Sequence, residues 1–350
     1  MSLQTTPVRK NKYSVGMFGC GRIAGVHLTN ILRNRRLDLK WIVENDEKRI
    51  QQVKEDFHIG SEIPFYKSSE RDRLLADESL DAVVVVSPTS THTEYIVQSL
   101  KYGNDVFTEK PAGESAADIK LCYETAEKTG RILLTGFQRR YDESFRDVKT
   151  AIDSGRLGKI QAIKTTTRDS PKPSYTFLKS ADSTGCNILA DLCVHDIDMI
   201  VWLTKAQRPE SIYINCHVHD PALQECREPD ALAGLIKYPD GTLVTMDAFR
   251  ESVYGYDIRL EAFGTQGMAL AENPRESSTV IDGAFGGTSR RLYNSFPQRF
   301  EAPFAAELAH FIDCMDGKAT PLITKEESLC VAEIIEKGIL SYKEKRVVMF

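Results

Sequence analysis

Three short segments carry side chains suited to oxidising an alcohol. Gly19-Cys20-Gly21-Arg22-Ile23-Ala24 is a glycine run of the kind that grips a dinucleotide. Glu109-Lys110-Pro111 supplies a cation, and Asp191-Leu192-Cys193-Val194-His195 a carboxylate and an imidazole. Taking a proton from a hydroxyl while hydride leaves its carbon requires a base that works near neutral pH. Imidazole, with an ordinary pKa of about 6.5, meets that need. An ammonium group stabilises the developing alkoxide. Each segment alone has an ordinary explanation: a strand-to-helix turn, a solvated lysine at a strand end, a surface pair on a helix. Their order in one chain joins them into a single expectation, with Lys110, Asp191 and His195 as catalytic residues.

The glycine run follows a β-rich stretch, Tyr13–Phe18, and opens a stretch with helical apolar spacing. Gly19 permits the tight turn, Gly21 lets a pyrophosphate approach the backbone, and Ala24 allows close helix–strand packing. Arg22 and Ile23 complete the loop, whose helix N-terminus offers N–H groups to phosphate. Glu44 lies twenty residues beyond Ala24 at the end of the second strand, where an acid binds the adenosine ribose hydroxyls. It repels a 2′-phosphate, which favours NAD; Arg22 and Arg49 lie near enough to leave NADP open. Ser87-Pro88-Thr89 ends another strand, at the sheet edge where such folds bind ligands. Ser87, Pro88, Thr89, His92, Glu109 and Lys110 are therefore placed with the cofactor. Ser90 or Thr91 suits a helix N-cap, and His92 suits packing or capping better than catalysis.

The elements that must hold these residues alternate strand and helix up to Gly136. Ala82 is followed by four valines, the signature of a parallel strand covered on both faces. Beyond Gly136 come a helix at Arg139–Ser154, a strand at Ile160–Arg168 and an apolar helix at Ile188–Trp202. Alternating strands follow at 211–218, 231–238, 243–249 and 257–263, with a Pro239-Asp240-Gly241 hairpin turn. The expectation is an α/β protein: a doubly wound parallel sheet, then an α/β domain with an open, largely antiparallel sheet. The divisions expected are a polar lead-in at 1–12, a dinucleotide domain at 13–136 and a substrate and oligomerisation domain at 137–350. On the helix 188–202, Asp191 and His195 share a face, and Asp196 or Asp198 is expected to orient the imidazole.

A net charge of −5 and the lack of a dense basic run argue against nucleic acid. No apolar run is long enough for a membrane span and no signal sequence is evident, so a reduced cytoplasmic protein with free thiols is expected. Cys216-His217-Val218-His219 offers two imidazoles without a third ligand, so no metal is expected. Cys186 and Cys193 read as small buried hydrophobes, and Gly283–Gly287 as a surface loop.

The segments GCGRIAGVH, VVVVSPTSTH, FTEKP, GFQRRYDESF, TTRDSPKP, ILADLCVHDIDM and YGYDIRLEAFGTQG span nearly the whole chain. Together they resemble the glucose–fructose oxidoreductase/inositol dehydrogenase family. GFQRRYD, RDSPKP and HDIDM look most like its myo-inositol 2-dehydrogenases. The resemblance implies a polyol or sugar substrate and a site built on Lys110, Asp191 and His195. It also implies substrate contacts at Thr167, Asp169 and Tyr254 or Tyr256, and a homodimer or homotetramer formed through the open sheet. Ser183-Thr184-Gly185-Cys186-Asn187 stands where many relatives carry a Gly-Gly pair, which bears on substrate placement. Oxidation of an aldose, a scyllo-inositol or a dihydrodiol remains open at this point, as does a nucleotide-sensing protein without turnover.

Overall fold

The structure, a computed structural model, describes residues 10–180, 186–226 and 228–350. It divides into two compact units. The first runs to Gln138 and takes in Ala302–Leu329; the second comprises Arg139–Glu301 and Cys330–Phe350.

The first unit is a six-stranded parallel sheet in the order β3-β2-β1-β4-β5-β6. Its strands are β1 (Tyr13–Phe18), β2 (Leu37–Val43), β3 (Phe65–Tyr66), β4 (Ala82–Val85), β5 (Asp105–Glu109) and β6 (Leu133–Gly136). Helices α1 (Ala24–Arg33), α2 (Glu47–Phe57), α3 (Arg71–Leu75), α4 (His92–Lys101) and α5 (Ala116–Thr129) connect them. The order reverses between β1 and β4, so their carboxyl ends open the crevice in which such sheets bind ligands. Every residue of β4 is fully buried, as its uninterrupted apolar run requires. Asp46 and Ser115 cap α2 and α5, each accepting a backbone N–H within the first turn.

The unit is not one continuous stretch of chain. Helix α10 (Glu301–Met315) lies far downstream, yet its Leu308, Phe311, Ile312 and Met315 belong to the same core as Val15, Met17, Leu28, Ile31 and Phe107. The expected cut at 136/137 therefore needs correcting: residues 302–329 return to the first unit. Tyr13 and Arg36 anchor the return by binding the Asp316 carboxylate at 2.9 and 2.8 Å.

The second unit holds a seven-stranded sheet in the order β12-β11-β7-β10-β9-β8-β15. These strands are β7 (Ile160–Arg168), β8 (Ser211–His217), β9 (Ala231–Lys237), β10 (Leu243–Phe249), β11 (Asp257–Gly264), β12 (Gly267–Ala271) and β15 (Val348–Met349). Only β7 and β10 run parallel; the other neighbours are antiparallel. Burial alternates along β9 and β10, giving one core face and one open face. Helices α6 (Glu143–Asp153), α7 (Tyr175–Ser180), α8 (Val194–Leu203), α9 (Phe296–Arg299) and the later part of α11 (Lys325–Glu344) complete the unit. The run Gly283–Gly287 forms the tip of a hairpin, β13 (Val280–Gly283) with β14 (Gly286–Ser289), and Phe285 there is fully exposed. No helix of the described residues is long and apolar enough to cross a membrane.

Candidate active site

On the first unit, the glycine loop is shaped by two different constraints. Gly19 has φ +99°, and a Cβ there would stand 2.6 Å from the Ser87 Cα, so only glycine fits. Gly21 meets nothing closer than 3.9 Å, which leaves open space beside its backbone. Ile23 precedes helix α1 and supplies no side-chain cap; the Ala24 and Val26 N–H groups turn back to the Gly21 and Ile23 carbonyls at 3.1 and 3.0 Å. Open backbone at Gly21 and a helix N-terminus that no side chain covers together fit a pyrophosphate. Glu44 reaches back to the loop: its carboxylate accepts the Cys20 N–H at 2.8 Å and those of Asn45 and Asp46 at 2.8 and 3.0 Å. Burial, with help from the Glu44 charge, pushes the Cys20 thiol up to about 12, so it stays protonated beside the loop.

The turn after β4 is tied to the turn after β5 by His92. Its ring nitrogens lie 2.9 Å from the Ser87 carbonyl and 2.7 Å from the Pro111 carbonyl. Burial holds its pKa down, so the neutral ring has one N–H and donates to one carbonyl at a time. Thr91 occupies the N-cap of α4, but its hydroxyl donates back to the Pro88 carbonyl at 2.8 Å and meets Ser87 Oγ at 2.7 Å, instead of capping the helix. Glu109 accepts from His27 Nε2 at 2.7 Å and from the Lys110 backbone N–H at 3.2 Å. The side chains of His92 and Glu109, expected at the cofactor, are thus engaged with protein atoms. Lys110 itself is half-buried at the end of β5.

On the second unit, the expected single helix over 188–202 is two pieces. Ile188–Leu192 is a π-helical turn, with the Cys193 N–H bonded to the Ile188 carbonyl at 2.9 Å, and α8 begins at Val194. Asp191 therefore sits on the π turn and His195 in the first turn of α8, so α-helical spacing does not govern how they relate. Glu228, buried, accepts the Asn187 and Ile188 N–H groups at 3.2 and 2.9 Å and so fixes the start of the turn. Residues 183–185 of the segment that departs from the Gly-Gly pair lie outside the described residues. Cys186 and Cys193 are fully buried, as expected.

Asp191 is met by a residue the sequence reading did not single out. Arg250, at the end of β10 and almost wholly buried, places Nη1 3.0 Å from Asp191 and 3.7 Å from Asp169. Burial opposes the guanidinium charge, yet Asp191 and Asp169 hold its pKa above the ordinary value. One cation thus fixes two carboxylates, each able to accept hydroxyl hydrogen bonds. Both acids beside His195 hold buried arginines. Asp196 binds Arg139 at 3.1 Å and Asp198 binds Arg140 at 2.7 Å. Thr167 is also committed: it is fully buried, donates to Asp196 at 2.7 Å and accepts from Arg139 at 3.1 Å. Tyr254 is half-exposed and bridges Arg168 and Asp257. Tyr256 is buried near Arg139 and Asp169, and burial raises its phenol pKa. Of the four residues expected at a substrate, Asp169 meets Arg250 beside Asp191, and Tyr256 lies near Asp169.

The match to known proteins follows both halves. Residues 13–137 match the oxidoreductase family with an NAD-binding Rossmann fold, and 145–270 match the GFO/IDH/MocA C-terminal domain. The chain belongs to this family. It is 30% identical to the scyllo-inositol 2-dehydrogenase (NAD(+)) of Bacillus subtilis over 91% of this chain and 90% of that one. It is 29% identical to the myo-inositol 2-dehydrogenase of Thermotoga maritima over 95% and 97%. Among solved structures, the Lactobacillus casei scyllo-inositol dehydrogenase with NAD(H) and scyllo-inositol superposes with a TM-score of 0.87 at 26% identity, covering 97% of this chain and 99% of that one. The protein is an oxidoreductase with an NAD-binding Rossmann domain.

Proposed function

We propose that the protein oxidises a ring hydroxyl of a cyclic polyol, with myo-inositol at its 2-hydroxyl as the preferred substrate. The observation that carries this reading is the Arg250 bridge, which holds Asp191 and Asp169 as paired acceptors for vicinal hydroxyls. Bound NAD would supply the hydride acceptor. His195 takes the hydroxyl proton as general base. Lys110 donates to the reacting oxygen and stabilises its growing negative charge. Asp191 accepts from the neighbouring hydroxyl and so sets the ring's orientation. The roles of Lys110, Asp191 and His195 are supported by residue chemistry and by the family resemblance of FTEKP and ILADLCVHDIDM. The names of the relatives support an inositol, and the 30% match to a scyllo-inositol enzyme makes that isomer the second reading.

The test is NADH formation by the purified protein with myo-inositol, scyllo-inositol, glucose and a dihydrodiol, each with NAD and with NADP. The expected result is the highest kcat/KM for myo-inositol with NAD, since the Glu44 carboxylate repels a 2′-phosphate. Tight NADH binding without oxidation of any polyol would instead support a sensing protein.

The open face of the second unit's sheet bears on assembly. Leu235, Leu243, Phe263, Met268 and Leu270 are exposed there, and the strand register puts them on one side. Such a patch belongs to an interface, and we propose a homodimer or homotetramer built on it. Light scattering should give a multimer that Leu235→Lys with Met268→Lys converts to monomer; an unchanged mass would move the interface elsewhere.

A further inference from the structure

His27, Glu109 and Glu307 lie together inside the first unit, apart from the roles proposed for Lys110, Asp191 and His195. Their ligating atoms fall within 4.8 Å of one another. His27, fully buried on α1, has its ring against Phe107 and Phe304, with centroids 5.1 and 5.8 Å away. Its Nε2 meets Glu109 Oε1 at 2.7 Å, while Glu109 Oε2 takes the Lys110 backbone N–H. Glu307, from α10, has no exposure, and neither of its oxygens has a hydrogen-bond partner.

Two neutralisers of this cluster compete. A divalent cation with bonds of about 2.0–2.2 Å holds adjacent ligands about 3 Å or more apart. His27 and Glu109 are already in direct hydrogen-bond contact at 2.7 Å, so an ion between them would have to force them apart. A proton on Glu307 needs no movement. It removes the cost of a second buried carboxylate next to the first. Burial and the Glu109 charge both hold the Glu307 pKa well above its ordinary value.

We propose that His27, Glu109 and an uncharged Glu307 form a one-proton clamp that positions Lys110. His27 holds Glu109, Glu109 holds the Lys110 main chain, and α1 connects this point to the glycine loop that opens it. Glu109 and His27 are positioning residues; Glu307 holds neither of them and enters as the neutral neighbour that leaves Glu109 the one carboxylate charge of the cluster. The effect on turnover rests on the proposed role of Lys110, so the test includes readouts that need no turnover.

In Glu109→Gln and His27→Phe, hydrogen exchange of the Lys110 amide is expected to accelerate about tenfold or more, while the core of β4 stays protected. The kcat of His27→Phe is expected to fall by about 10- to 100-fold, the size of effect a small misplacement produces. KM and NADH affinity should stay within about threefold of wild type. His27→Gln, which restores an N–H donor, should recover part of that loss. Glu307→Gln reads the proton directly. The unfolded chain ionises Glu307 above about pH 4.5, whereas burial and the Glu109 charge make the folded protein hold that proton to higher pH. Wild type should therefore lose Tm relative to Glu307→Gln steadily as pH rises above that point, whatever the constant offset between them. Three outcomes would overturn the clamp: unchanged Lys110 exchange, a pH-independent Tm difference, or stoichiometric zinc lost in Glu307→Gln. Full turnover by Lys110→Ala would remove the catalytic reading of Lys110 and leave the exchange and Tm tests of the clamp standing.

Discussion

His195→Ala is expected to lower kcat by about 10²–10⁴-fold, the usual worth of a positioned general base, with NADH affinity within about threefold of wild type. The separation of effects follows from where the residues sit. The features that fit a dinucleotide, Gly19, Gly21, the start of α1 without a side-chain cap and Glu44, all belong to the first unit. His195 belongs to the second, on the first turn of α8. Its removal takes away the proposed proton acceptor and leaves the glycine-loop backbone untouched. The acid limb of the wild-type kcat/KM profile is also expected to disappear, because no imidazole then has to be neutral for reaction. The measurements are steady-state rates across pH and fluorescence titration with NADH. Turnover close to wild type in this variant would remove His195 from the mechanism. A parallel loss of NADH affinity would show that it holds the cofactor instead.

Much of the first unit was legible because its signals are local. Leu37–Val43 alternates apolar and charged residues before Trp41-Ile42-Val43 and is followed by an acid, and β2 has those bounds. The four valines are buried as a covered strand must be. Asp46 and Ser115 announce helix starts that the structure places there. On the second unit, Ile160–Arg168 and Leu243–Phe249 were readable from alternation alone. What stayed hidden depends on distant partners. Periodicity shows that α10 has an apolar face; nothing in it says that the face packs beside β1. The π turn at 188–192 shares its residue types with an α-helix, so the shift between Asp191 and His195 leaves no mark in the sequence. Buried charges are the hardest case. Arg139, Arg140, Arg250 and Glu307 read as surface residues until their burial is known. One signal was available for Glu307: it interrupts the apolar run of EAPFAAELAHFIDCM on what proves to be a buried face.

The largest loss of stability is expected from Asp198→Ala. Arg140 has no solvent exposure, and its Nε and Nη2 engage both Asp198 oxygens at 2.7–3.1 Å, with the guanidinium 5.7 Å from the Trp202 ring centre. Water cannot replace the carboxylate without opening the core around α8. Breaking a buried pair from one side costs about 3–5 kcal/mol. For a unit of this size that corresponds to a Tm lower by about 6–20 °C. Removing both charges is a different matter, because the desolvation cost of the pair disappears with it. Arg140→Met with Asp198→Leu should recover most of the loss. Calorimetry on the two variants separates the cases: a single variant within about 1 kcal/mol of wild type would mean that Arg140 finds solvent and that the pair is not truly buried. If the single variant falls and the double recovers, the ion pair serves placement more than stability. It ties the Arg140 turn to α8, the helix that bears His195, and the neighbouring Arg139–Asp196–Thr167 set ties the same helix to β7. The recovered double variant should then unfold near the wild-type temperature yet turn over more slowly, because α8 would be packed without being held in register.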